Sequence, residues 1–347
     1  MRKIILIITG ISAALLVSEL TSYIIIQRLG ITGLYRKGCA ESFEPGNFFF
    51  RPHHYFALEA NPNFTSKFLK INRYGLTGKD FDPVKKDNEY RIAFLGGSTT
   101  QSIPQQYLED QLQNLSSNKD ITVINCGIGT YTSAETLIAY LFKISYLDPD
   151  LIIIYHASND IFPEAYYKNK YPDYRQHRKI WKNAIKLPDI FYFFLHRSSL
   201  LKLLHYIWIQ HNFNIWDFSL NKLELSHKEA LKNINADSFG LHFETNIRRL
   251  ITIALNEKTD VILITFICSS EKAPPSWYEG IRKLNNITRK LAYKYKTYLL
   301  DLEKTYRTDP PEIELFHADD SVHFTPEGDT WRMNKFIEFI KNNNIIK

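Results

Sequence analysis

The chain has 347 residues, 44% hydrophobic and 14% aromatic, a composition that argues against a disordered chain and is ample for a large core. The net charge of +6 is spread over isolated Lys and Arg residues without a dense basic stripe, so we expect no nucleic-acid partner. The three cysteines are far apart and lack CxxC or metal spacing, which argues against a disulfide framework or a zinc site. No metal or organic cofactor is implied.

The first 28 residues are predicted to form a single-pass membrane anchor. Arg2 and Lys3 precede an apolar run from Ile4 to Ile26, and a helix of that length spans roughly 34 Å at about 1.5 Å per residue, enough to cross a bilayer. Glu19 lies inside the run, where a carboxylate is costly, so a cleaved signal peptide and a buried soluble helix remain alternatives. The basic N-terminus favours a cytoplasmic start, with the remaining chain in the periplasm or outside the cell.

The remaining chain divides into two predicted parts. Residues 29–88 are irregular, and we interpret them as a stalk followed by a segment that packs on the main domain. Residues 89–347 form that predicted domain. It contains five short apolar runs rich in Ile and Val, typical of parallel strands buried on both faces: 91–95, 121–125, 151–155, 261–266 and 298–302.

Helical stretches alternate with these strands. They are predicted over 104–115, 133–146 (with Ser133 as its cap), 243–255, 281–296 and 326–342. This alternation predicts an α/β fold with a doubly wound parallel sheet of about five strands, in a flavodoxin-like three-layer α/β/α arrangement. An insert at 161–242 separates the third and fourth strands. We expect it to be helical cover on the core, with a lid or acyl-binding wall as the alternative.

Reactive and hydrogen-bonding side chains follow the predicted strand ends. Ser98 comes after a Gly-Gly pair at a tight turn into a helix, where the helix dipole favours a developing anion. Asn159 follows the third strand, and Asp320 and His323 lie three residues apart just before a proline-initiated helix. Alone, each is explained by an ordinary turn, cap or surface loop. Because ligands bind beyond the carboxyl ends of an open parallel sheet, we expect these residues to converge.

The combination favours acyl chemistry over nucleotide binding. A serine nucleophile needs a neutral imidazole beside it, and the imidazole needs an orienting carboxylate. An acyl transition state also needs hydrogen-bond donors aimed at its oxyanion. A phosphate-binding loop would require Gly-Lys-Ser/Thr, and a Rossmann protein would require Gly-x-Gly-x-x-Gly after the first strand; the first strand is followed by neither.

The segment Ile71-Asn72-Arg73-Tyr74-Gly75-Leu76-Thr77-Gly78 resembles the one that precedes the first block in many membrane-anchored bacterial SGNH (GDSL-type) hydrolases, and four short blocks resemble those of the same family. They are Gly-Gly-Ser-Thr-Thr after the first strand, Asn-Cys-Gly-Ile-Gly-Thr-Tyr-Thr-Ser after the second, Ala-Ser-Asn-Asp after the third and Asp-Ser-Val-His near the C-terminus. The similarity extends over roughly residues 68–340. It implies that Ser98 attacks an ester carbonyl, that His323 takes and returns the proton, and that Asp320 fixes the imidazole ring.

The resemblance also implies an oxyanion hole. Its donors would be the Ser98 backbone N–H, a backbone N–H of the second block at Gly129 or Thr130, and the Asn159 side chain. The family usually has glycine where Thr130 stands, which puts the geometry of that N–H in question. It also usually has glycine at Ala157, where one added methyl is a small change.

The predicted function is therefore a serine ester hydrolase with a Ser-His-Asp triad. Its expected substrates are O-acyl groups of a carbohydrate or small esters, reached from the cell membrane to which the N-terminal helix attaches the enzyme. Two alternatives use the same fold. One is an O-acyltransferase that acts on a surface polysaccharide, and the other is a binding protein that keeps the fold without catalysis.

Overall fold

A computed structural model describes residues 2–28, 49–51, 59–62, 64–66, 69–178, 197–212 and 222–346. The chain forms two compact units, each built from two stretches of sequence. The first unit comprises Met1–Ile71 and Lys179–Leu220, and the second comprises Asn72–Arg178 and Asn221–Lys347. Much of the predicted stalk, including 29–48, lies outside the described residues.

Two sheets are present in the described parts of the chain. A two-stranded antiparallel ribbon joins β1 (Phe50–Arg51) to β2 (Glu59–Ala60). The main sheet contains β3 (Glu89–Gly96), β4 (Asp120–Asn125), β5 (Leu151–Tyr155), β6 (Asp260–Ile264) and β7 (Tyr298–Leu300). All of its neighbours pair in parallel, in the order β4-β3-β5-β6-β7. This order is that of a flavodoxin-like doubly wound sheet, which confirms the predicted fold class.

The described helices surround this sheet or belong to the first unit. They are α1 (Arg2–Arg28), α2 (Ser98–Gln101), α3 (Gln105–Gln113), α4 (Ser133–Ala139), α5 (Ile161–Ala165), α6 (Ser199–Asn212), α7 (His227–Asn235), α8 (Leu241–Asn256), α9 (Pro275–Tyr295), α10 (Leu302–Thr308) and α11 (Pro326–Asn342). Helices α1 and α6 lie in the first unit and the others in the second.

The strands are buried because they are apolar on both faces. Every residue of β5 is buried, and so are seven of the eight residues of β3. Phe94 of β3 packs edge-on against Phe336 of α11, with ring centroids 5.2 Å apart. A continuous apolar run therefore becomes a strand covered on both sides, as parallel sheets require.

The start of α4 differs from the prediction that Ser133 caps it. The cap is Thr132, whose hydroxyl accepts a hydrogen bond from the Ala134 N–H at 3.3 Å. Glu135 completes a capping box, because its carboxylate accepts from the Thr132 N–H at 2.7 Å. The predicted single helix over 133–146 is also wrong at its end: α4 passes into a π-helical turn at Tyr140–Ile144 and a 3-10 turn at Ser145–Leu147.

The segment before β3 packs on the sheet of the second unit. Thr77 bridges Asn125 at the end of β4, with its N–H donating to the Asn125 carbonyl at 3.1 Å. Arg91 is completely buried and donates to the carbonyls of Asp82, Pro83 and Leu147 at 2.7 to 3.1 Å. This guanidinium ties the segment to the amino-terminal end of β3.

The first unit contains the apolar N-terminal helix. Helix α1 is long and apolar enough to cross a membrane by its length and composition. Glu19 accepts hydrogen bonds from the Ser198 hydroxyl at 2.9 Å, from the Leu200 N–H at 3.0 Å and from the Ser199 N–H. Its carboxylate thus caps the N-terminus of α6, a position that favours negative charge.

Candidate active site

Ser98 opens the short helix α2 directly after β3. It is half-buried, and the residue before it is the N-cap Gly97. A Cβ at position 97 would lie 2.6 Å from Asn159 Nδ2 and 3.2 Å from the Tyr131 carbonyl oxygen. Only glycine allows this close approach. The strand end of β3 therefore brings Ser98 beside the turns that follow β4 and β5.

Ser98, His323 and Asp320 form a continuous hydrogen-bonded chain. Ser98 Oγ lies 2.7 Å from His323 Nε2, and His323 Nδ1 lies 2.6 Å from Asp320 Oδ2. Because Nδ1 faces a carboxylate, the proton of a neutral imidazole belongs on Nδ1, which leaves Nε2 free to accept from the Ser98 hydroxyl. The three predicted triad residues are therefore brought together, although 225 positions separate the serine from the histidine.

Asp320 is held as a carboxylate. Burial raises its pKa, but the hydrogen bond and charge of His323 and two backbone N–H groups lower it more, to about 2. Those N–H groups belong to Val322 and His323 and donate to Oδ1 at 2.8 and 2.9 Å. At neutral pH the group that faces His323 Nδ1 is therefore an ionised carboxylate.

The loop that carries Asp320 and His323 is tied at both ends. The Ser269 N–H donates to the Ser321 carbonyl at 2.9 Å, and the His317 N–H donates to the His323 carbonyl at 3.2 Å. Thr325 then caps α11 by accepting from the Gly328 N–H at 3.0 Å. The loop is thus held by Ser269, in the segment after β6, and by the cap at the start of α11.

Asn159 lies in a 3-10 turn, Ser158–Asp160, just beyond β5. One N–H of its amide donates to the Tyr131 carbonyl at 2.9 Å, which leaves the second N–H of Nδ2 for another acceptor. Ala157, where the related sequences usually have glycine, has φ of −179°, an extended backbone open to any residue. Alanine at this position therefore requires no strain.

Thr130 adopts the left-handed conformation, with φ of 70°, and Gly129 does not. Threonine is β-branched and rarely adopts this region, whereas glycine does so freely. Position 130 thus has a backbone conformation that favours glycine, which is the residue that the family usually has there. Among the described residues, the N–H groups of Thr130, Gly129 and Ser98 donate no hydrogen bond. These are the backbone donors that the sequence predicted for an oxyanion hole.

The sequence also matches a known protein family. Residues 94–331 match the profile of the GDSL-like lipase/acylhydrolase family. The chain belongs to that family. It is a hydrolase that acts on ester bonds.

Two solved structures are similar to this GDSL-like hydrolase. A lipase/acylhydrolase from Enterococcus faecalis is 16% identical, with 73% of this chain and 96% of that chain covered and a TM-score of 0.46. The acetylxylan esterase Axe2 from Geobacillus stearothermophilus is 14% identical, with 74% and 96% covered and a TM-score of 0.45. No curated protein matches the sequence.

Sequence reasoning missed Arg178 of this GDSL-like hydrolase. Arg178 and Glu135 are both buried and form an ion pair, with Nε donating to the carboxylate at 2.6 Å. Burial raises the pKa of Glu135, but Arg178 and Thr132 lower it more, to about 2. The same guanidinium contacts Thr130. Arg178 lies 48 positions after Thr130, and no local sequence pattern links the two residues.

Metal-binding side chains do not cluster at this site. Over the residues that the structure describes, no group of three or more His, Cys, Asp or Glu side chains is placed to hold a metal ion. Cys126 and Cys268 are free and buried, as expected of small core residues.

Proposed function

We propose that this GDSL-like hydrolase cleaves O-acyl esters with Ser98 as nucleophile, His323 as general base and Asp320 as the orienting carboxylate. The observation that carries this proposal is the hydrogen-bonded chain from Ser98 Oγ through His323 to Asp320, at 2.7 and 2.6 Å. Such an arrangement activates a hydroxyl that is otherwise a weak nucleophile at neutral pH.

The proposed reaction has two halves. Ser98 Oγ attacks the ester carbonyl carbon while its proton passes to His323 Nε2, and the resulting imidazolium is stabilised by Asp320. The tetrahedral intermediate collapses when His323 returns the proton to the leaving alcohol. Water then attacks the acyl-enzyme with His323 again acting as base, which releases the carboxylic acid and restores Ser98.

The proposed oxyanion hole uses three donors. They are the N–H groups of Ser98 and Thr130 and the second Nδ2 hydrogen of Asn159. Support comes from their lack of other hydrogen bonds in the described residues and from the contact of Asn159 with the Tyr131 carbonyl, which holds its amide beside Gly97. Fixed donors of this kind stabilise charge that develops only in the transition state.

The proposed substrate is an O-acyl group on a carbohydrate, or a small ester. Phe162 and Trp277 are both partly exposed, with ring centroids 5.4 Å apart. Trp277 Nε1 donates to the carbonyl of Ser158, the residue before Asn159, at 3.3 Å. Aromatic faces next to a donor suit a short acyl chain or the apolar face of a sugar ring.

The test is labelling of the detergent-solubilised full chain with a fluorophosphonate, followed by peptide mapping and by turnover of p-nitrophenyl acetate. We expect one label per chain on Ser98 and release of one acetate for each alcohol. A folded protein that takes up no label and turns over no ester would contradict the proposal. Appearance of the acyl group on an added sugar instead of free acetate would redirect it to acyl transfer.

We also propose that residues 1–28 anchor the enzyme in the cell membrane, that 29–88 include a stalk, and that the domain from 89 to 347 lies in the periplasm or outside the cell. The apolar length of α1 and the basic residues Arg2 and Lys3 support this arrangement. The full chain is expected to stay in the membrane pellet after an alkaline carbonate wash. Recovery of the intact chain in the supernatant, or an N-terminus that begins beyond residue 20, would disprove the uncleaved anchor.

A further inference from the structure

We propose that Arg178 is a positioning residue that holds Thr130, at the centre of the oxyanion loop (residues 129–131), in its left-handed conformation. The inference rests on the proposed function, because it assigns a purpose to the backbone N–H of Thr130 in that reaction. It begins from the φ of 70° at Thr130. A β-branched residue stays in this region only when its surroundings hold it there.

Arg178 contacts Thr130 twice. Its Nη2 donates to the Thr130 carbonyl at 2.5 Å, and its Nη1 donates to the Thr130 hydroxyl at 3.4 Å. The third side of the guanidinium, Nε, donates to Glu135 at 2.6 Å. Arg178 is 7% exposed and Glu135 4%, so the fork lies away from solvent competition. A planar, five-donor group suits this three-point contact in a way that a lysine ammonium does not.

The contacts fix the torsion that aims the N–H. The angle φ relates the peptide that carries the Thr130 N–H to the peptide that carries its carbonyl. Arg178 holds the carbonyl and the hydroxyl on one side of the N–Cα bond, and the Ile128 N–H, which donates to the Gly96 carbonyl at 3.2 Å, holds the chain on the other side. Rotation about this bond is therefore restricted, and the N–H keeps one direction. Loss of the two hydrogen bonds from Arg178 would let Thr130 relax toward negative φ. Its N–H would then turn away from the oxyanion.

The same loop also aligns the side-chain donor. The Tyr131 carbonyl accepts from Asn159 Nδ2 at 2.9 Å, so the residue after Thr130 orients the Asn159 amide. Glu135 in turn receives the Thr132 N–H at 2.7 Å, which joins the arginine to the next turn of the chain. Arg178 therefore positions two of the three proposed donors, and it does so through Thr130 and Glu135.

Glycine at position 130 offers a direct test, because glycine occupies positive φ without surrounding contacts that hold it there. We expect Arg178→Lys, which keeps a charge beside Glu135, to lower kcat about 10- to 100-fold with KM within about threefold of wild type. In the double variant Arg178→Lys/Thr130→Gly, kcat is expected to return to within about fivefold of wild type. The kcat of Thr130→Gly alone is the reference with which the double variant is compared. Rescue by glycine is a result that a merely structural arginine would not give.

Two further variants calibrate the measurement. Arg91→Lys alters another buried arginine, one that holds carbonyls at the opposite end of β3, and is expected to lower stability while leaving kcat unchanged. Asn159→Ala removes a donor outright and is expected to lower kcat on the order of 100- to 1000-fold. The loss in Arg178→Lys should lie between these two.

If Arg178→Lys does not fold, the neutral pair Glu135→Gln/Arg178→Met replaces it, because no unpaired charge is then left buried. The proposal is overturned if folded Arg178→Lys, or its replacement Glu135→Gln/Arg178→Met, keeps kcat within threefold of wild type. It is also overturned if Thr130→Gly restores none of the kcat that the Arg178 variant loses. Absence of ester turnover in the wild-type chain would instead disprove the proposed function. The two failures are therefore distinguishable.

Discussion

Replacement of Ser98 by alanine is expected to lower kcat for ester hydrolysis by on the order of 10⁶-fold. The variant keeps His323, Asp320 and the oxyanion donors but has no oxygen to form the acyl-enzyme. A residual rate of roughly 10³- to 10⁴-fold over water should remain, because bound substrate still meets the donors and a base that can activate water. KM for the ester is expected to change little, since the lost interaction is covalent. Initial rates with p-nitrophenyl acetate across a range of concentrations measure both constants.

Ser102→Ala is the matched control for this variant. Ser102 follows α2 as its C-cap, is exposed, and donates from its hydroxyl to the Thr99 carbonyl at 3.2 Å. It is one helical turn from Ser98 and contacts neither His323 nor Asp320 in the described structure. Its loss is expected to leave kcat within about threefold of wild type. If Ser98→Ala retained a tenth or more of the wild-type kcat, another group would have to be the nucleophile.

The fold was largely readable from the sequence because the strands of a doubly wound sheet are apolar on both faces. Leu151–Tyr155 illustrates this, since the predicted run and the observed strand coincide and every residue is buried. The ends of strands were less predictable where a polar residue could either continue the strand or cap the next helix. The fifth strand was predicted through residue 302, yet it ends at Leu300 because Asp301 caps α10, its side chain accepting from the Lys304 N–H at 3.2 Å.

The convergence of Ser98, Asn159 and His323 was predictable for a topological reason. Parallel strands bring their carboxyl ends to one edge, so side chains just beyond different strands meet there. The structure adds the distances that join Ser98, His323 and Asp320 in one hydrogen-bonded chain. Sequence order alone could not give them, because the loop from β6 and the start of α11 fix the histidine through backbone contacts.

Arg178 and the conformation of Thr130 show where sequence reasoning stops. Thr130 stands where the family usually has glycine, and the residue that we propose to compensate for it, Arg178, lies 48 positions away in the insert 161–242. Burial makes an unpaired guanidinium costly, and among the described residues Arg178 donates to oxygens of Glu135 and Thr130, which offset that cost. Such compensation belongs to tertiary structure, and a single sequence carries no local sign of it.

His323→Ala is expected to lower kcat by about as much as Ser98→Ala, on the order of 10⁶-fold, because the two residues act as one unit. The double variant Ser98→Ala/His323→Ala should therefore be no slower than either single variant. Labelling separates their roles: fluorophosphonate should no longer react with Ser98 at a measurable rate in His323→Ala, although the serine is still present. Kinetics of labelling on the folded variant, with folding checked by circular dichroism, provide the measurement.

His317→Ala is the control, because this histidine is exposed in the same loop and only its backbone N–H contacts His323. It should label and turn over ester at wild-type rates. Labelling of His323→Ala at the wild-type rate would mean that the short contact between Ser98 Oγ and Nε2 does not activate the serine. Equal, non-additive losses together with lost labelling would instead require that the proton leaves Ser98 through this imidazole, since no other base in the described structure lies within hydrogen-bonding distance of Oγ.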